Sequence, residues 1–381
     1  MSNSSKNILI ISPNPWGKMF VSKHHYAVAL AALGHKVYFL NPLTFNGFNT
    51  QLSAAIGYDN IKIIDTSLPQ WAYILRFKAK SIYNYIVNLH IKKILKTTAV
   101  HFDEVWCFET NLYPNLSKFK AVKIIYFPAD LLMYPYQVKV ANKADLCVTI
   151  SQTIVNSLVP TNKPTLLLPH GLANDFYNYA SQKIDATNYN WQPSNTIKVG
   201  YVGNLVRSII DQEAILFLVN KYPNIEFNFW GAYKANDSNL SGNTDSATID
   251  FVSTLQVQKN CILHGATNTA DLALQMQQID AFILTLKIVE GGDYDGSNSH
   301  KIIEYLSTGK VFVANFIVPI YTHTNLFEMA DSNPSFYQLF DKVINNISNY
   351  NNNEIVEKRL QYAVANTYSN HVNTIYTQLY Q

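Results

Sequence analysis

A stretch late in the chain carries residue types that bind phosphorylated sugars. After an apolar strand over 281–286, a loop with three glycines spans 291–296, and Ser297, Asn298 and Ser299 follow as successive helix N-cap candidates. The start of a helix presents free backbone N–H groups and the positive end of the helix dipole, which together favour an anion. The sequence therefore predicts a phosphate site where this loop enters the helix.

The side chains of the predicted helix add to this chemistry. Ser299, His300 and Lys301 fall in its first turn, and Glu304 lies one turn further along. A carboxylate is a poor phosphate ligand but accepts hydrogen bonds from paired sugar hydroxyls, so the unit could hold both ends of a nucleotide-sugar. The alternative is structural, because every doubly wound domain contains such units and this one could be scaffold.

The elements around this stretch are typical of a strand, loop, helix and strand unit. Ile302, Ile303 and Leu306 form one apolar stripe, which predicts a helix buried on one side. Gly309 lies where the helix should end, and an apolar strand over 311–314 follows.

Bulk composition excludes several classes of protein. The chain has 381 residues, 48% of them apolar, which predicts two globular domains rather than a disordered protein. A net charge of +3 does not indicate a nucleic-acid partner. The chain has three cysteines, Cys107, Cys147 and Cys261, and so low and odd a number favours a reduced cytoplasmic location. Their spacing does not match a zinc site. We find neither a signal sequence nor an apolar run near the roughly 20 residues that span a bilayer.

The N-terminal segment opens like a nucleotide-binding domain. The pattern predicts a strand over 8–12, a loop with the single glycine Gly17, a helix from 22 to 34 and a second strand over 36–40. The chain lacks G-x-G-x-x-G here, and Asn41 and Pro42 stand where a dinucleotide site would have an acidic residue. No cofactor is therefore expected.

Three further apolar runs, over 104–108, 123–127 and 146–150, extend the predicted parallel sheet. Asp130 follows the second of them. A carboxylate just past the carboxyl end of a parallel strand lies on the edge where ligands bind in open α/β sheets. Asp130 is therefore a candidate catalytic residue.

Between these strands lies a basic helical tract over 71–100. It contains Arg76 and five lysines, including Lys92, Lys93 and Lys96, and no acidic residue. Apolar residues are interleaved with these charges, so the tract could lie on an anionic membrane surface. The alternative is a solvated basic face above an ordinary core stripe.

The repeated strand and helix pattern predicts an α/β protein with two facing doubly wound, Rossmann-like domains and a cleft between them. We place the first domain at 1–174, a linker at 175–195 and the second domain at 196–350. The tail over 351–381 is predicted to be helical and to pack back toward the first domain. Strands of the second domain are predicted near 197–202, 225–230, 261–265, 281–286 and 311–314.

Several motifs, in this order, resemble a known family. They are H-x-x-A-x-x-L-A-x-x-G in the first helix, A-D-x-x-x-x-x-S before the predicted linker, P-H-G at 169–171, V-G-Y-V-G-N-L at 199–205 and K-I-I-E-Y-L-S-T-G-K at 301–310. Together they are similar to the GT-B fold glycosyltransferases, most of all to family 4 enzymes of bacterial cell-surface glycans. The resemblance implies a hexosyltransferase-type enzyme that needs no metal. It would move a sugar from a nucleotide-diphosphate-sugar to a glycan or lipid-linked acceptor. We expect the enzyme in the cytoplasm, either free or peripherally bound at the inner face of the membrane.

The resemblance also implies residue roles. Gly203 and Asn204 would let the backbone approach the donor diphosphate, and Arg207 would neutralise it. Lys287 would face the donor, and Gly17 would lie under the reacting sugar or the acceptor. Asn298 to Lys301 would hold phosphate, and Glu304 would bind the ribose. Each residue also has a structural alternative: Arg207 could cap a surface helix, Lys287 could be a solvated loop charge, and Glu304 could pair with Lys301 on the same helix.

The sequence departs from the family pattern at the donor-sugar loop. The family has paired glutamates eight positions apart, but Gly296 stands eight residues before Glu304. Glu290, Asp293 or Asp295 could take over the donor-sugar contact, and this leaves retention or inversion open. An inverting enzyme would need a general base in the first domain, for which Asp130 and His25 are the candidates.

Three other interpretations follow from the same residues. Asp293 and Asp295 form a D-x-D motif, which holds a divalent metal in the GT-A transferase fold, but its late position argues against that role. A sugar-nucleotide epimerase shares the GT-B architecture and would act on the donor alone. A two-domain sugar-binding protein is the non-enzymatic alternative.

Overall fold

The computed structural model describes residues 4–17, 20–113, 115–128, 136–186, 191–234, 245–287 and 299–381. The chain divides into two compact units. The first unit comprises Met1–His170 together with Tyr368–Gln381, and the second comprises Gly171–Thr367.

The first unit is built on an eight-stranded sheet in the order β3-β4-β2-β1-β5-β6-β7-β8. Its strands are parallel except β3, which runs antiparallel to β4. They are β1 Asn7–Ile11, β2 Lys36–Leu40, β3 Asn49–Ala55, β4 Tyr58–Ser67, β5 Glu104–Cys107, β6 Lys123–Tyr126, β7 Leu146–Thr149 and β8 Thr165–Leu167. The helices are α1 Ser22–Ala32, α2 Gln70–Lys78, α3 Lys80–Thr98, α4 Tyr136–Ala141, α5 Gln152–Leu158 and, from the end of the chain, α14 Tyr368–Leu379.

β1 shows why this sheet is covered on both sides. Leu9 and Ile11 belong to one apolar core, whereas Ile8 and Ile10 belong to another. Because successive side chains of a strand point to opposite faces, a continuous apolar run requires a hydrophobic layer on each face.

The second unit has a six-stranded parallel sheet in the order β11-β10-β9-β12-β13-β14. The strands are β9 Lys198–Val202, β10 Glu226–Trp230, β11 Cys261–Gly265, β12 Ala281–Leu284, β13 Val311–Ala314 and β14 Glu328–Met329. The helices are α6 Asn174–Asp185, α7 Gln212–Lys221, α8 Ser246–Val257, α9 Thr269–Gln275, α10 His300–Leu306, α11 Asn333–Asn345, α12 Ile347–Tyr350 and α13 Asn353–Ala365.

The direction of strand addition reverses next to β9. The chain adds β10 and β11 on one side of β9, then returns to add β12, β13 and β14 on the other. β9 and β12 pair through Val199 with Ala281 and Gly200 with Phe282. In open α/β sheets, ligands bind outside the carboxyl ends of the strands at this switch point.

Most strands predicted from apolar runs are confirmed, including β1, β2, β5, β9 and β13. The β3 and β4 hairpin was missed because its strands alternate buried and exposed residues instead of forming an apolar run. The prediction of an irregular linker over 175–195 needs correction. α6 occupies its first half and packs against α13, since Phe176 and Ala180 are buried.

The structure divides the predicted helical tail between the two units. α13 belongs to the second unit, whereas α14 belongs to the first and packs against α1. No helix in the described part of the chain is long and apolar enough to cross a membrane.

Candidate active site

The loop after β9 is fixed by hydrogen bonds that its backbone N–H groups donate. Gly203 N–H donates to the Trp230 carbonyl (2.7 Å), and the Asn204 side-chain oxygen accepts from Val206 N–H (3.0 Å). Arg207 N–H donates to the Asn204 carbonyl (3.3 Å), and the Arg207 side chain is exposed. The loop therefore leaves the Arg207 side chain exposed just after β9.

The helix predicted at the centre of the phosphate site forms as α10. Ser299 is its N-cap, and the Ser299 hydroxyl accepts from Lys301 N–H (3.3 Å). The apolar stripe is confirmed, since Ile302, Ile303 and Leu306 are buried. Gly309 follows the helix with a φ of +78°, a left-handed conformation that favours glycine.

Tyr305 fixes α10 against the two central strands. Its hydroxyl accepts from Val202 N–H of β9 (2.8 Å) and donates to the Ile283 carbonyl of β12 (3.4 Å). Its ring stacks on Phe282 at 4.4 Å. Beyond the last backbone pair of β9 and β12, the Tyr305 hydroxyl thus bridges the two strands. This bond holds α10 at the switch point. Sequence reasoning missed this role because Tyr305 only continues the helix pattern.

Lys301 lies directly beside Gly203. A Cβ atom added to Gly203 would lie 2.6 Å from the Lys301 ammonium nitrogen, and that nitrogen is 5.5 Å from the centre of the Tyr201 ring. Arg207 adds a second positive charge close by. Burial lowers the pKa of Lys301 and Arg207 lowers it further, whereas burial raises the pKa of Tyr201 and Arg207 opposes that rise. The structure therefore brings Gly203, Arg207 and Lys301 together from segments a hundred residues apart in sequence.

The two ionisable groups of α10 are both shifted by their surroundings. Burial lowers the pKa of Lys301 to about 8, although Glu304 acts in the opposite direction. Burial raises the pKa of Glu304 to about 8, against the effect of Lys301. His300 lies 3.9 Å from the Glu304 carboxylate and is half exposed. Perturbed groups of this kind are enriched at functional sites.

A buried polar network supports the loops on both sides of the switch point. Asn315, which is fully buried, donates to the Leu286 carbonyl (2.8 Å) and to the Asp211 carboxylate (3.2 Å). Asn333 donates to the same carboxylate (2.7 Å). Asp211 also caps α7 through Ala214 N–H (2.9 Å). Sequence reasoning missed these three side chains, which only the fold brings together.

Lys287 lies at the edge of this arrangement. Its N–H donates to the Ile209 carbonyl (2.8 Å), which ties the segment after β12 to the loop after β9. Its side chain is exposed. The pKa of Asp245 is lowered, first by hydrogen bonds with Thr248 and to a smaller extent by Lys287.

The candidates of the first unit lie in different surroundings. Gly17 is exposed, and among the described residues the atom nearest to a Cβ added there is the Pro15 carbonyl oxygen at 4.0 Å. His25 stacks on Tyr368 at 5.0 Å, and burial lowers its pKa to about 4. Such a weak base is poorly matched to a general base at neutral pH, so these contacts favour a packing role for His25.

A small pocket opens at the carboxyl ends of β6, β7 and β8. Its walls are mainly apolar and aromatic, and they include Tyr26, Phe108, Phe127, Thr149, His170 and Tyr368. His170 belongs to the P-H-G motif, and Pro128, which also lines the pocket, precedes Asp130 by two residues.

Five predicted site residues lie outside the described residues, namely Asp130, Glu290, Asp293, Asp295 and Asn298. Within the ranges that the structure describes, no group of three His, Cys, Asp or Glu side chains is placed to hold a metal ion. The D-x-D motif is not part of those ranges.

Comparisons with known proteins bear on the fold. No protein-family model and no curated protein matches the sequence. Among solved structures, a sucrose-phosphate synthase from Thermosynechococcus elongatus matches 98% of this chain and 99% of its own, with a TM-score of 0.68 and 11% identity. An alpha,alpha-trehalose 6-phosphate synthase from Burkholderia multivorans matches 98% and 96%, with a TM-score of 0.68 and 11% identity. HepE from Anabaena, in complex with UDP and glucose, matches 98% of each chain, with a TM-score of 0.63 and 12% identity. The chain therefore has the GT-B fold, as predicted.

The contact between Gly203 and Lys301 makes a testable prediction. In Gly203→Ala, we expect the flexible end of Lys301 to move away, because the new methyl group occupies its place. Nucleotide affinity should fall about tenfold, the cost of weakening one charged hydrogen bond, with little change in melting temperature. Calorimetric titration of a nucleoside diphosphate measures this effect.

The double variant Gly203→Ala with Lys301→Ala is the control for that experiment. If Gly203 acts by leaving room for Lys301, adding the glycine change to Lys301→Ala should cause no further loss of affinity. Additive losses would contradict the explanation.

Proposed function

We propose that the protein is a glycosyltransferase that moves a sugar from a nucleotide-diphosphate-sugar to a glycan or lipid-linked acceptor. The proposal depends chiefly on one observation: the Lys301 ammonium lies beside the Gly203 backbone, and Glu304 follows one turn later on α10. This combination offers positive charge and close backbone approach at the switch point of a GT-B domain.

The diphosphate is the part of the donor that this arrangement suits best. Negative charge on the nucleoside diphosphate grows as the bond to the sugar breaks. Lys301 and Arg207 would stabilise that charge, and the positive end of the α10 helix dipole would act in the same direction. Positive groups fixed before reaction stabilise the transition state without reorganisation, so a metal ion is not required by this mechanism.

Glu304 suits the nucleoside end of the donor. Residues three apart on a helix share a face, so Glu304 and Lys301 would contact neighbouring parts of one ligand. An ionised carboxylate accepts hydrogen bonds from two ribose hydroxyls. Burial raises the pKa of Glu304 to about 8 and so favours its neutral form. Hydrogen bonds from the ribose hydroxyls favour the carboxylate, so ribose binding would shift the group toward its charged form.

The acceptor would bind in the first unit. Aromatic rings such as Tyr26, Phe108 and Tyr368 line its pocket and suit the apolar face of a sugar ring or of a lipid carrier.

We place the enzyme in cell-surface polysaccharide synthesis, in the cytoplasm at the inner face of the membrane. The presence of UDP and glucose in HepE supports a nucleotide-sugar as the donor class here.

A thermal-shift screen tests the donor site. The purified protein is mixed with UDP-, GDP-, ADP- and dTDP-sugars, in EDTA and in Mg²⁺. A ligand at 100 times its dissociation constant should add about 2.7 kcal/mol to the free energy of unfolding. We expect stabilisation by one nucleotide class in EDTA, and its loss in Glu304→Ala.

Glu357→Ala is the matched control, because Glu357 is an exposed glutamate on α13 of the same unit. It should keep the full shift. If no nucleotide stabilises the wild type, or if Glu304→Ala responds like Glu357→Ala, the donor site is wrong.

Product analysis separates the transferase from the two alternatives. A transferase releases nucleoside diphosphate when an acceptor is supplied. An epimerase changes the donor sugar without any acceptor, and a binding protein is stabilised by the sugar but turns nothing over.

A further inference from the structure

Helix α3 carries apolar residues on two faces. Tyr83, Val87, Ile91 and Ile94 are buried in a core of the first unit. On another face, Ile82, Tyr85 and Leu89 are 54%, 64% and 46% exposed, with the spacing of three and four residues that aligns side chains along a helix. The outward face of a helix packed on a sheet is normally polar, so these exposed residues need another explanation.

Helix α2 continues the exposed surface. Trp71, Ile74 and Phe77 are 50%, 50% and 63% exposed, and α2 packs against α3. Phe48, which is 64% exposed, contacts Trp71 with ring centres 6.2 Å apart. We call these residues the α2–α3 surface: Phe48, Trp71, Ile74, Phe77, Ile82, Tyr85 and Leu89.

The solvated basic face considered from the sequence accounts for only part of this arrangement. Tyr83, Val87 and Ile91 form the ordinary core stripe that this alternative requires. It gives no reason for the exposed apolar residues outside that stripe, such as Phe77 and Tyr85.

The charged side chains of α2 and α3 are all positive. The segment from Gln70 to Thr98 contains six basic residues and no acidic one, whereas the rest of the chain has more acidic than basic residues. Lys92, Lys93 and Lys96 are exposed on the last turns of α3, and Lys92 and Lys96 continue the line of Tyr85 and Leu89. Among the described residues, none of these three lysines forms an ion pair.

We propose that the α2–α3 surface and the lysines of α3 dock the protein on an anionic lipid bilayer. Tryptophan and tyrosine favour the boundary between hydrocarbon and headgroups, because their rings are apolar at one end and polar at the other. Lysines beside them reach lipid phosphates while their stems stay on apolar surface. A second copy of the chain is a poorer occupant, because a symmetric contact would bring two sets of positive charges together.

The bilayer is tested by vesicle sedimentation with the full chain. The protein should bind phosphatidylcholine vesicles that contain phosphatidylglycerol, and bind pure phosphatidylcholine vesicles far less. The triple variant Lys92→Glu, Lys93→Glu and Lys96→Glu should weaken binding by about 100-fold or more, since each lysine contributes about 1 kcal/mol near an anionic surface.

The control variant makes the same change in net charge elsewhere: Lys143→Glu, Lys259→Glu and Lys342→Glu, three exposed lysines outside the tract. It should retain most of the binding. Equal losses in the two triple variants would overturn the proposal, because attraction would then follow net charge alone. Failure of the wild type to bind anionic vesicles at low salt would also overturn it.

A second variant addresses the apolar part. Phe77→Ser with Tyr85→Ser should weaken binding at high salt more than at low salt, because salt screens the lysines but not apolar contact.

Sedimentation velocity without vesicles provides the remaining check. A dimer in the wild type that this variant abolishes would assign the surface to self-association and overturn the proposal. Vesicle binding does not require transferase activity, so this result is independent of the donor-site tests.

Discussion

Replacing Lys301 with alanine is expected to lower kcat/KM for sugar transfer by about 10²- to 10³-fold, the effect of removing one fixed group that stabilises charge in a transition state. Lys301 lies beside Gly203 at the start of α10, where the leaving diphosphate would bind. Its burial lowers its pKa to about 8, so its protonated form is less favoured than that of an exposed lysine, and a bound anion would restore it. Steady-state kinetics with the nucleotide-sugar found in the thermal-shift screen measure the loss.

The same site predicts a maximum in donor affinity near pH 8. A bound diphosphate favours the charged form of Lys301 and raises its pKa from about 8, so affinity falls as the pH rises above that value. Ribose hydroxyls favour the charged form of Glu304 and lower its pKa from about 8, so affinity rises as the pH approaches that value from below. Calorimetric titration from about pH 6 to about pH 9 covers both limbs.

Two conservative variants separate these limbs. Lys301→Arg stays charged at every pH, which should remove the alkaline limb. Glu304→Gln cannot ionise, which should remove the acid limb. A wild-type affinity that is flat with pH, or variants that keep both limbs, would show that these groups do not titrate on donor binding.

Local patterns were enough to predict much of this unit. β9, α10 and β13 follow from apolar runs and helix periodicity. Ser299 is correct as the N-cap. The helix ends at Leu306 with Ser307 as its C-cap, and Gly309 follows two residues later in the left-handed conformation that glycine favours. The GT-B fold follows from many such units in sequence.

Contacts between distant segments could not be predicted in the same way. The Tyr305 hydroxyl bridges β9 and β12 only because α10 packs across them. The shared carboxylate of Asp211 joins Asn315 and Asn333 across more than a hundred residues of sequence. α6 was missed because its polar, asparagine-rich sequence resembles a linker, and its helix is stabilised by packing of Phe176.

The C-terminal helix makes a prediction about stability. Glu104 is fully buried in β5, and its carboxylate accepts hydrogen bonds from Lys6 (2.6 Å), Trp106 (2.8 Å) and Tyr380 (2.7 Å). Lys6 also lies 4.3 Å above the Tyr376 ring. One buried carboxylate thus ties the start of the chain, the central sheet and the end of α14 together.

Glu104→Ala is expected to lower the free energy of unfolding by about 3 to 5 kcal/mol, because the partly buried Lys6 ammonium, the buried Trp106 indole N–H and the partly buried Tyr380 hydroxyl lose their acceptor. For a unit of this size the melting temperature should fall by about 10 °C. Tyr380→Phe removes the hydrogen bond to Glu104 and an exposed one from Lys6 (2.9 Å), but it leaves the Lys6–Glu104 pair intact and should cost only about 1 kcal/mol. Glu354→Ala breaks an exposed pair with Lys358 and should cause no measurable change.

Hydrogen exchange shows where the stability is lost. Relative to the wild type, Glu104→Ala should speed up exchange more for the amides of α14 than for those of β1, because the end of α14 loses the hydrogen bond from Tyr380 to Glu104. Calorimetry of the same variant gives the global change. A melting temperature equal to that of Glu354→Ala, with α14 still protected, would mean that apolar packing of Val372 and Ile375 alone holds the helix on the first unit.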